Sequence, residues 1–223
     1  MLTQSFLSDK SIQALTRDYK PEQVIFQQGA IGTKMYIIIE GFVRVYQTND
    51  DLKYLVSILT PGEVLGEKAI LTDNAKYTRN FTAQAKTAVS LIEIGPDALQ
   101  MISAKWPDFY LRVLKMVEER LDKSNELSAI LRSNEPIERV VGYLLYFDKH
   151  ITRKLPTGFY ITVTSEEVRF ATNVEPKTVD WILNSLTDSR ILSRLGDGFV
   201  LADHKRLVEY CQSLSPNKRK TAA

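Results

Sequence analysis

The stretch from Gly66 to Ala83, GEKAILTDNAKYTRNFTA, has residue types that suit an anion. A Gly66-Glu67 pair opens it, and a strand pattern follows it. Near its end stand two cationic residues, a tyrosine and a hydroxyl residue: Lys76, Tyr77, Thr78 and Arg79. A guanidinium holds a phosphate with two parallel hydrogen bonds, and a hydroxyl adds a third. The stretch therefore predicts a turn that holds a negatively charged group.

A second set of residues suits contact with DNA. The set consists of Arg169, Glu175, Lys177, Thr178, Asp180, Trp181 and Arg194. Lys177 suits guanine or a phosphate, Thr178 suits a phosphate oxygen, and Asp180 suits the amine of cytosine. Trp181 has two open interpretations, a core side chain or an exposed apolar contact. Arg169 and Arg194 of this set are expected to contact the DNA backbone, together with two further cations, Arg190 and Lys205.

The elements that must position the first set are short strands. Stretches rich in Val, Ile, Tyr and Phe are separated by turn residues such as Gly29, Gly41 and Pro61-Gly62. Several such strands at regular spacing predict an antiparallel roll or barrel over about the first 95 residues. A short helix near Asp9–Tyr19 is expected to precede it.

Helices are predicted after the strands. Pro96 and Asp97 suit a first helical turn, and a long helix is expected from Pro107 to about Arg132. One stripe on it has nearly heptad spacing: Val113, Val117, Leu121, Ser124, Ser128 and Leu131. Two interpretations stay open, a helix packed on its own domain and a dimer seam. In a seam, the polar Ser124 and Asn125 would fix register or touch a ligand.

The C-terminal segment predicts a winged helix-turn-helix. Pro136 ends the long helix at a hinge, and Thr164 or Ser165 is expected to cap a short helix that ends at Asn173. Pro176 opens a second helix, and a Gly-Asp-Gly turn at 196–198 joins two strands as the wing. A generic helical hairpin is the alternative, but the strands beside the Gly-Asp-Gly turn argue against it.

Bulk composition restricts the class of protein. The chain has 223 residues, 44% of them hydrophobic, with a net charge of +2 and one cysteine, Cys211. Two domains and a soluble cytoplasmic protein without a membrane partner are expected. A single cysteine excludes a cysteine-ligated cluster, and His150 and His204 lie outside the roll, which argues against haem. No nucleophile–base pair or metal spacing is recognisable, so no enzyme is predicted.

From about Asp9 to Ala202 the chain resembles the cyclic-AMP receptor protein and FNR (Crp/Fnr) family of bacterial transcription regulators. The resemblance rests on YIIIEGFVRVYQ, PGEVLGEKAILTD, AKWPDFYLRVLKMVEERL and the winged motif, in that order. It implies an α+β fold. Its implied domains are a β-roll effector domain at 1–106, a dimerisation helix at 107–133 and a DNA-binding domain with a basic tail at 134–223. It also implies a homodimer, double-stranded DNA as partner, and RNA polymerase as a further candidate partner.

The resemblance carries over unevenly to the anion stretch. The family's nucleotide-binding members have a Gly-Glu pair, with the glycine at the phosphate and the glutamate at the ribose. Gly66 and Glu67 of this chain match that pair. An Arg-Ser or Arg-Thr pair at the phosphate falls by residue count on Tyr77-Thr78, so the arginine is replaced. Lys76 and Arg79 flank this position, and a local bulge could let Arg79 substitute. The family's base-contacting pair falls on Ser124 and Asn125.

Three interpretations of the roll therefore stay open. It binds a cyclic nucleotide such as cAMP or cGMP, it binds another small effector, or it has lost its ligand. No cofactor is certain. The main hypothesis is a homodimeric regulator whose effector repositions the helix-turn-helix. The alternative is a ligand-independent regulator or a protein-interaction module with a degenerate nucleotide pocket. On the family's recognition helix an Arg-Glu pair and a further arginine are usual, and EPKTVDW stands there instead.

Overall fold

The computed structural model describes residues 4–49, 52–71, 77–151, 153–155, 158–161 and 163–214. The chain forms two compact units, Met1–Lys123 and Ser124–Ala223. The domain boundaries expected at residues 106 and 133 stay predictions. The basic tail and Lys76 lie outside the described residues.

The first unit is a β-roll of two four-stranded antiparallel sheets. Its strands are β1 (Thr16–Tyr19), β2 (Val24–Phe26), β3 (Met35–Glu40), β4 (Val43–Asn49), β5 (Leu52–Leu59), β6 (Val64–Leu65), β7 (Thr82–Ala85) and β8 (Val89–Ile94). The sheet orders are β1-β8-β3-β6 and β2-β7-β4-β5. The predicted roll is confirmed.

Short helices flank the roll, and one prediction about them is wrong. The helices that begin in this unit are α1 (Gln4–Leu7), α2 (Lys10–Gln13), α3 (Lys68–Leu71), α4 (Pro96–Lys105) and α5 (Phe109–Leu131). The helix expected over Asp9–Tyr19 ends at Gln13. Thr16–Tyr19 is instead β1, because it pairs along its length with Val89–Ile92 of β8, a partner that local sequence does not reveal.

Alternating side chains build the core of the roll. On β4, Val43 and Val45 are buried, while Arg44 and Tyr46 between and beyond them are partly exposed, the period of a strand with one face inward. These valines pack with residues of both sheets, including Ile38, Leu59 and Leu91. The inward apolar side chains of the two sheets therefore pack against each other and form the core of the roll.

The long helix α5 begins two residues later than predicted and packs by its first half on the roll. Val113 and Met116 are buried in a cluster with Phe6, Ile37 and Ile102. For these turns the interpretation of a helix packed on its own domain is confirmed. The large apolar side chains that remain exposed on α5 are Tyr110, Leu111, Leu114 and Leu121, and of these Leu121 belongs to the predicted stripe.

The second unit contains the predicted winged helix-turn-helix. Its further elements are α6 (Pro136–Ile151), β9 (Arg153–Leu155), β10 (Gly158–Ile161), α7 (Ser165–Thr172), α8 (Pro176–Asp188), β11 (Leu192–Leu195), β12 (Gly198–Leu201) and α9 (His204–Leu214). The strands form one sheet in the order β11-β12-β10-β9. Residues Ser193 to Leu195 pair with Gly198 to Val200, so the Gly-Asp-Gly segment makes the hairpin turn.

Local chemistry explains the bend between α7 and α8. Thr164 and Glu167 form a capping box in which each side chain accepts from the other residue's backbone. Asn173 ends α7 in the left-handed conformation, with φ 49° and ψ 44°, which asparagine tolerates. Pro176 then stands in the first turn of α8. The predicted cap, turn and helix start are confirmed.

Candidate functional site

Backbone hydrogen bonds place Arg79 inside the roll. Arg79 N–H donates to Ala30 O (2.8 Å), and Gly29 N–H donates to Arg79 O (2.9 Å). One residue pair further along, Thr78 bridges Ile31 in antiparallel register. Because side chains alternate along such a segment, Thr78 is exposed while Arg79 is only 4% exposed and Tyr77 is half-buried.

The Arg79 guanidinium is held by neutral groups. Its Nη1 donates to Gly66 O (3.0 Å), its Nη2 donates to Lys34 O (2.6 Å), and the Phe26 ring lies 4.2 Å from Cζ. Among the described residues, Nε has no hydrogen-bond partner and no carboxylate forms an ion pair with Arg79. Burial lowers the Arg79 pKa, against the influence of Tyr36, Tyr77 and Glu67. The described residues therefore give this buried cation no anionic partner.

Two glycines leave room for this guanidinium. A Cβ atom at Gly66 would lie 2.4 Å from Nη1, and one at Gly32 would lie 2.7 Å from Nε. Gly66 also has φ +72°, which favours glycine. Gly66 and Arg79, two of the predicted effector residues, are therefore in direct contact.

The Glu67 carboxylate is already engaged by α5. Arg120 forms an ion pair with Glu67 and donates from Nη1 to Val64 O (2.8 Å). One turn further on, Lys123 Nζ lies 3.1 Å from Glu63 Oε1. Sequence reasoning missed Arg120, although its spacing of 7 and 4 from the core residues Val113 and Met116 places it on the face turned to the roll.

The other predicted effector residues have different positions. Lys76 lies outside the described residues. Ser124 and Asn125 are exposed on α5 and fall in the second unit. The structure thus brings together Gly66, Glu67 and Arg79. Thr78, which precedes Arg79 in the sequence, is exposed.

The predicted DNA-contacting residues lie mainly on one face of α8. Val179, Ile182, Leu183 and Leu186 are buried, whereas Glu175, Lys177, Asp180 and Trp181 are exposed. Thr178 is half-buried. Trp181 is 63% exposed, so the interpretation of Trp181 as a core residue is wrong. The period of 3.6 residues divides this helix into a packed face and a free face.

Arginines from α7 and the wing flank this helix in sequence and structure. Arg194 Nη2 donates to Asn184 Oδ1 of α8 (3.3 Å), and its Cζ lies 5.3 Å from the Phe199 ring. Arg169 lies 3.7 Å from Glu166 and stacks on Phe170. Arg190, with φ 58°, is exposed just after α8. The wing therefore contacts α8 through a cation.

Neither a metal cluster nor a membrane-spanning helix occurs in the described ranges. No three His, Cys, Asp or Glu side chains converge as metal ligands among those residues. None of the helices there has the length and apolar character required to traverse a bilayer.

Comparison with known proteins agrees with the fold described above. Residues 16–105 match the cyclic nucleotide-binding domain family. The CRP-like cAMP-activated global transcriptional regulator of Mycobacterium tuberculosis is 25% identical over 205 residues, covering 88% of this chain and 90% of that protein. A CRP-family transcriptional regulator from Thermus thermophilus superposes with a TM-score of 0.75 at 23% identity, covering 88% and 96% of the two chains.

A third protein extends the range of effectors among these folds. The c-di-GMP responsive global regulator CLP of Xanthomonas campestris has a TM-score of 0.71 at 21% identity, covering 87% of this chain and 97% of its own. The likeness to these solved structures extends over the roll, the long helix and the winged motif, and it shows a shared fold. The chain is therefore similar over most of its length to Crp/Fnr regulators, the family that the sequence motifs indicated. These relatives are named as regulators rather than enzymes.

Proposed function

We propose that the chain is a homodimeric, DNA-binding transcription regulator whose roll binds a cyclic nucleotide at Gly66, Glu67 and Arg79. The observation that carries the proposal is the buried Arg79 guanidinium, whose described hydrogen-bond partners are two neutral carbonyls. Burial of an arginine without an anionic partner costs several kcal/mol, of the order that an isolated buried ion costs. A site with this arrangement favours an anion that completes the pair.

A cyclic phosphate supplies the missing partner. Hydrogen bonds between a guanidinium and a phosphate are charge-assisted and roughly twice as strong as neutral ones. The unpartnered Nε of Arg79 is one donor for it, and exchange of a carbonyl at Nη1 or Nη2 frees a second. The glycine at position 66 lets the ligand approach the backbone closely.

Glu67 is the candidate for the sugar end of the nucleotide. A carboxylate accepts at both oxygens, so the ion pair between Glu67 Oε1 and Arg120 leaves Oε2 available for a ribose hydroxyl. The effectors in the relatives' names, cAMP and c-di-GMP, are both phosphate-containing cyclic nucleotides. Cyclic AMP and cyclic GMP are therefore the first ligands to test here.

The dimer and the DNA contacts follow from two exposed faces. Leu114 and Leu121 lie seven residues apart on α5 and are 63% and 59% exposed, the repeat of a two-stranded helical seam. On α8, the free face with Lys177 supports insertion of this helix into the major groove. RNA polymerase as a further partner rests on the family resemblance alone.

Calorimetric titration with cyclic AMP and with cyclic GMP tests the effector site. The wild-type chain is expected to bind one of them, and Arg79→Gln is expected to weaken binding by about 100-fold, since a charge-assisted pair of this kind contributes about 3 kcal/mol. Arg17→Gln removes the same charge from an exposed arginine on β1 and is expected to leave the affinity unchanged. Absence of heat with both nucleotides would overturn the nucleotide version.

A ligand-independent regulator is the second candidate function. It is favoured by the two carbonyl hydrogen bonds that already hold Arg79, because they let this side chain act as a structural brace between the segments around Lys34 and Gly66. In that case Arg79→Gln lowers the unfolding free energy while neither nucleotide shifts the melting temperature of the wild-type chain. Thermal melting with and without each nucleotide therefore separates the two candidates.

A further inference from the structure

The free face of α8 presents an unusual set of side chains. Lys177, Asp180 and Trp181 are exposed at spacings of three and four residues, so they share one face. Among the described residues, none of the three has a hydrogen bond, an ion pair or a ring contact. An exposed tryptophan next to an exposed carboxylate has no role in the packing of this unit, which is complete on the opposite face.

The charges around this face favour DNA as its occupant. Arg169, Arg190 and Arg194 extend from α7, from the end of α8 and from the wing, and all suit the phosphate backbone on either side of a groove. Asp180, which lies between Arg169 and Arg190 in the sequence, would be repelled by phosphate. Asp180 is therefore compatible with DNA only if it faces the base edges between the two backbones.

Base-edge chemistry identifies what these two side chains recognise. A carboxylate only accepts hydrogen bonds, and in the major groove the amine of cytosine is the donor that it suits. The indole of Trp181 offers a large apolar surface, and thymine is the base with a methyl group in that groove. Neither side chain can form the bidentate contact with guanine that an arginine forms.

We propose that Asp180 and Trp181 determine the DNA sequence that this chain recognises. Asp180 accepts from the N4 amine of a cytosine, and Trp181 packs on the methyl group of a thymine at a neighbouring base pair of the same half-site. The proposal rests on the proposed function of α8 as the DNA-reading helix. It assigns specificity to an aspartate and a tryptophan, where the resemblance to the family implies a small residue at position 180 and an arginine at position 181.

Selection of bound duplexes from a random library, with the full-length chain and with cyclic AMP or cyclic GMP present or absent, tests the proposal. The wild-type chain is expected to select a palindrome with a cytosine and a thymine in each half-site. Asp180→Asn is expected to change that cytosine to adenine, because an asparagine amide pairs with adenine N6 and N7. Trp181→Ala is expected to lose the thymine preference, with affinity lower by about tenfold, the typical cost of one lost base contact.

A matched control separates base recognition from charge. Asp188→Asn removes the same charge from an exposed residue two turns further along α8. It is expected to raise affinity for all duplexes without changing the selected motif. Circular dichroism and thermal melting of each variant verify that the second unit still folds.

Different outcomes overturn different claims. A motif that stays the same in Asp180→Asn and Trp181→Ala contradicts the inference but not DNA binding, and would show that both side chains lie off the bases. If the wild-type chain binds no duplex under any of these conditions, both the inference and the proposed DNA-binding function fail.

Discussion

At the scale of single residues, Arg79 and the two glycines beside it form one device. Arg79 donates to the carbonyls of Gly66 and Lys34, and Gly32 and Gly66 leave the space that its guanidinium fills. Sequence reasoning named Arg79 as a substitute but could not place it. A residue count from Gly66 gives only a position in the chain, whereas the antiparallel pairing with Ala30 gives the position of Arg79 in the roll.

Gly66→Ala is expected to destabilise the roll more than Gly62→Ala. Both glycines have positive φ, +72° and +89°, so both substitutions bear a backbone cost of about 1 kcal/mol. Only at Gly66 does the new methyl group meet the Arg79 guanidinium, because nothing lies within 4 Å at Gly62. Urea unfolding is expected to show an extra loss of about 1–3 kcal/mol for Gly66→Ala. Equal losses would contradict the contact between Gly66 and Arg79.

A second residue-scale prediction concerns the pH dependence of stability. Glu93 accepts from Tyr19 (2.7 Å) and Lys34 (2.8 Å). Burial raises the Glu93 pKa, but the hydrogen bonds from Lys34 and Tyr19 outweigh it and lower the pKa below its ordinary value of 4.5. A carboxylate whose pKa is lowered in the folded state stabilises that state at pH values above its ordinary pKa. This stabilisation is lost as the pH falls through the folded-state pKa.

We therefore expect the unfolding free energy of the roll to fall as the pH drops below 4.5. Glu93→Gln should lower the stability at neutral pH and make the acid side of the curve less steep. Urea titrations at a series of pH values measure this. Glu40→Gln, at an exposed position on the adjacent strand β3, is the control, and an acid slope that is the same in both variants would refute the role of Glu93.

At the scale of elements, helix caps and turns were more predictable than registers. The bounds of α7 and α8 follow from Thr164, Asn173 and Pro176, which act on their own neighbours in the chain. The strand Thr16–Tyr19 depends on pairing with β8, 70 to 76 residues away, and was predicted as helix. On α5, sequence left two interpretations of the predicted stripe open, and the burial of Val113 in the core of the roll agrees with a helix packed on its own domain.

Leu114→Gln is expected to shift the chain from dimer to monomer. Leu114 is 63% exposed on α5, and burying a leucine contributes about 1.5–3 kcal/mol in each protomer. From the same estimate, sedimentation equilibrium is expected to show a dimer dissociation constant at least tenfold higher than that of the wild type. Lys115→Gln, at the next, exposed position, should leave the dimer intact. A dimer unaffected by Leu114→Gln would exclude the exposed apolar side chains of α5 as the interface.

At the scale of the whole molecule, regulation requires a free-energy coupling between effector and DNA. A ligand changes DNA affinity only if it binds the DNA-competent state and the other state with different affinities. The coupling is reciprocal, so DNA must change effector affinity by the same factor, typically 5- to 150-fold. Sequence could predict both binding classes but not this factor, because it depends on energy differences between states.

The Arg79→Gln variant isolates that coupling. We expect it to abolish the effect of the cyclic nucleotide on DNA affinity while leaving the affinity without nucleotide within about twofold of the wild type, since Arg79 lies in the first unit. Fluorescence anisotropy with the selected duplex, at saturating and zero nucleotide, measures both values. A nucleotide effect that persists in Arg79→Gln would place the effector elsewhere.

The space around the Arg79 guanidinium also constrains how this sequence can evolve. Gly32 has no unusual backbone conformation, so the side chain of Arg79 is the first obstacle that a larger residue meets there. A lineage that shortens residue 79 should therefore accept alanine or serine at position 32 soon afterwards. Substitution of Gly66 is restricted by two features, the contact with Arg79 and a φ of +72°. Gly66 should therefore persist after the arginine is lost. Descendants with glycine at 66 but not at 32 would mark lineages that have abandoned the anion.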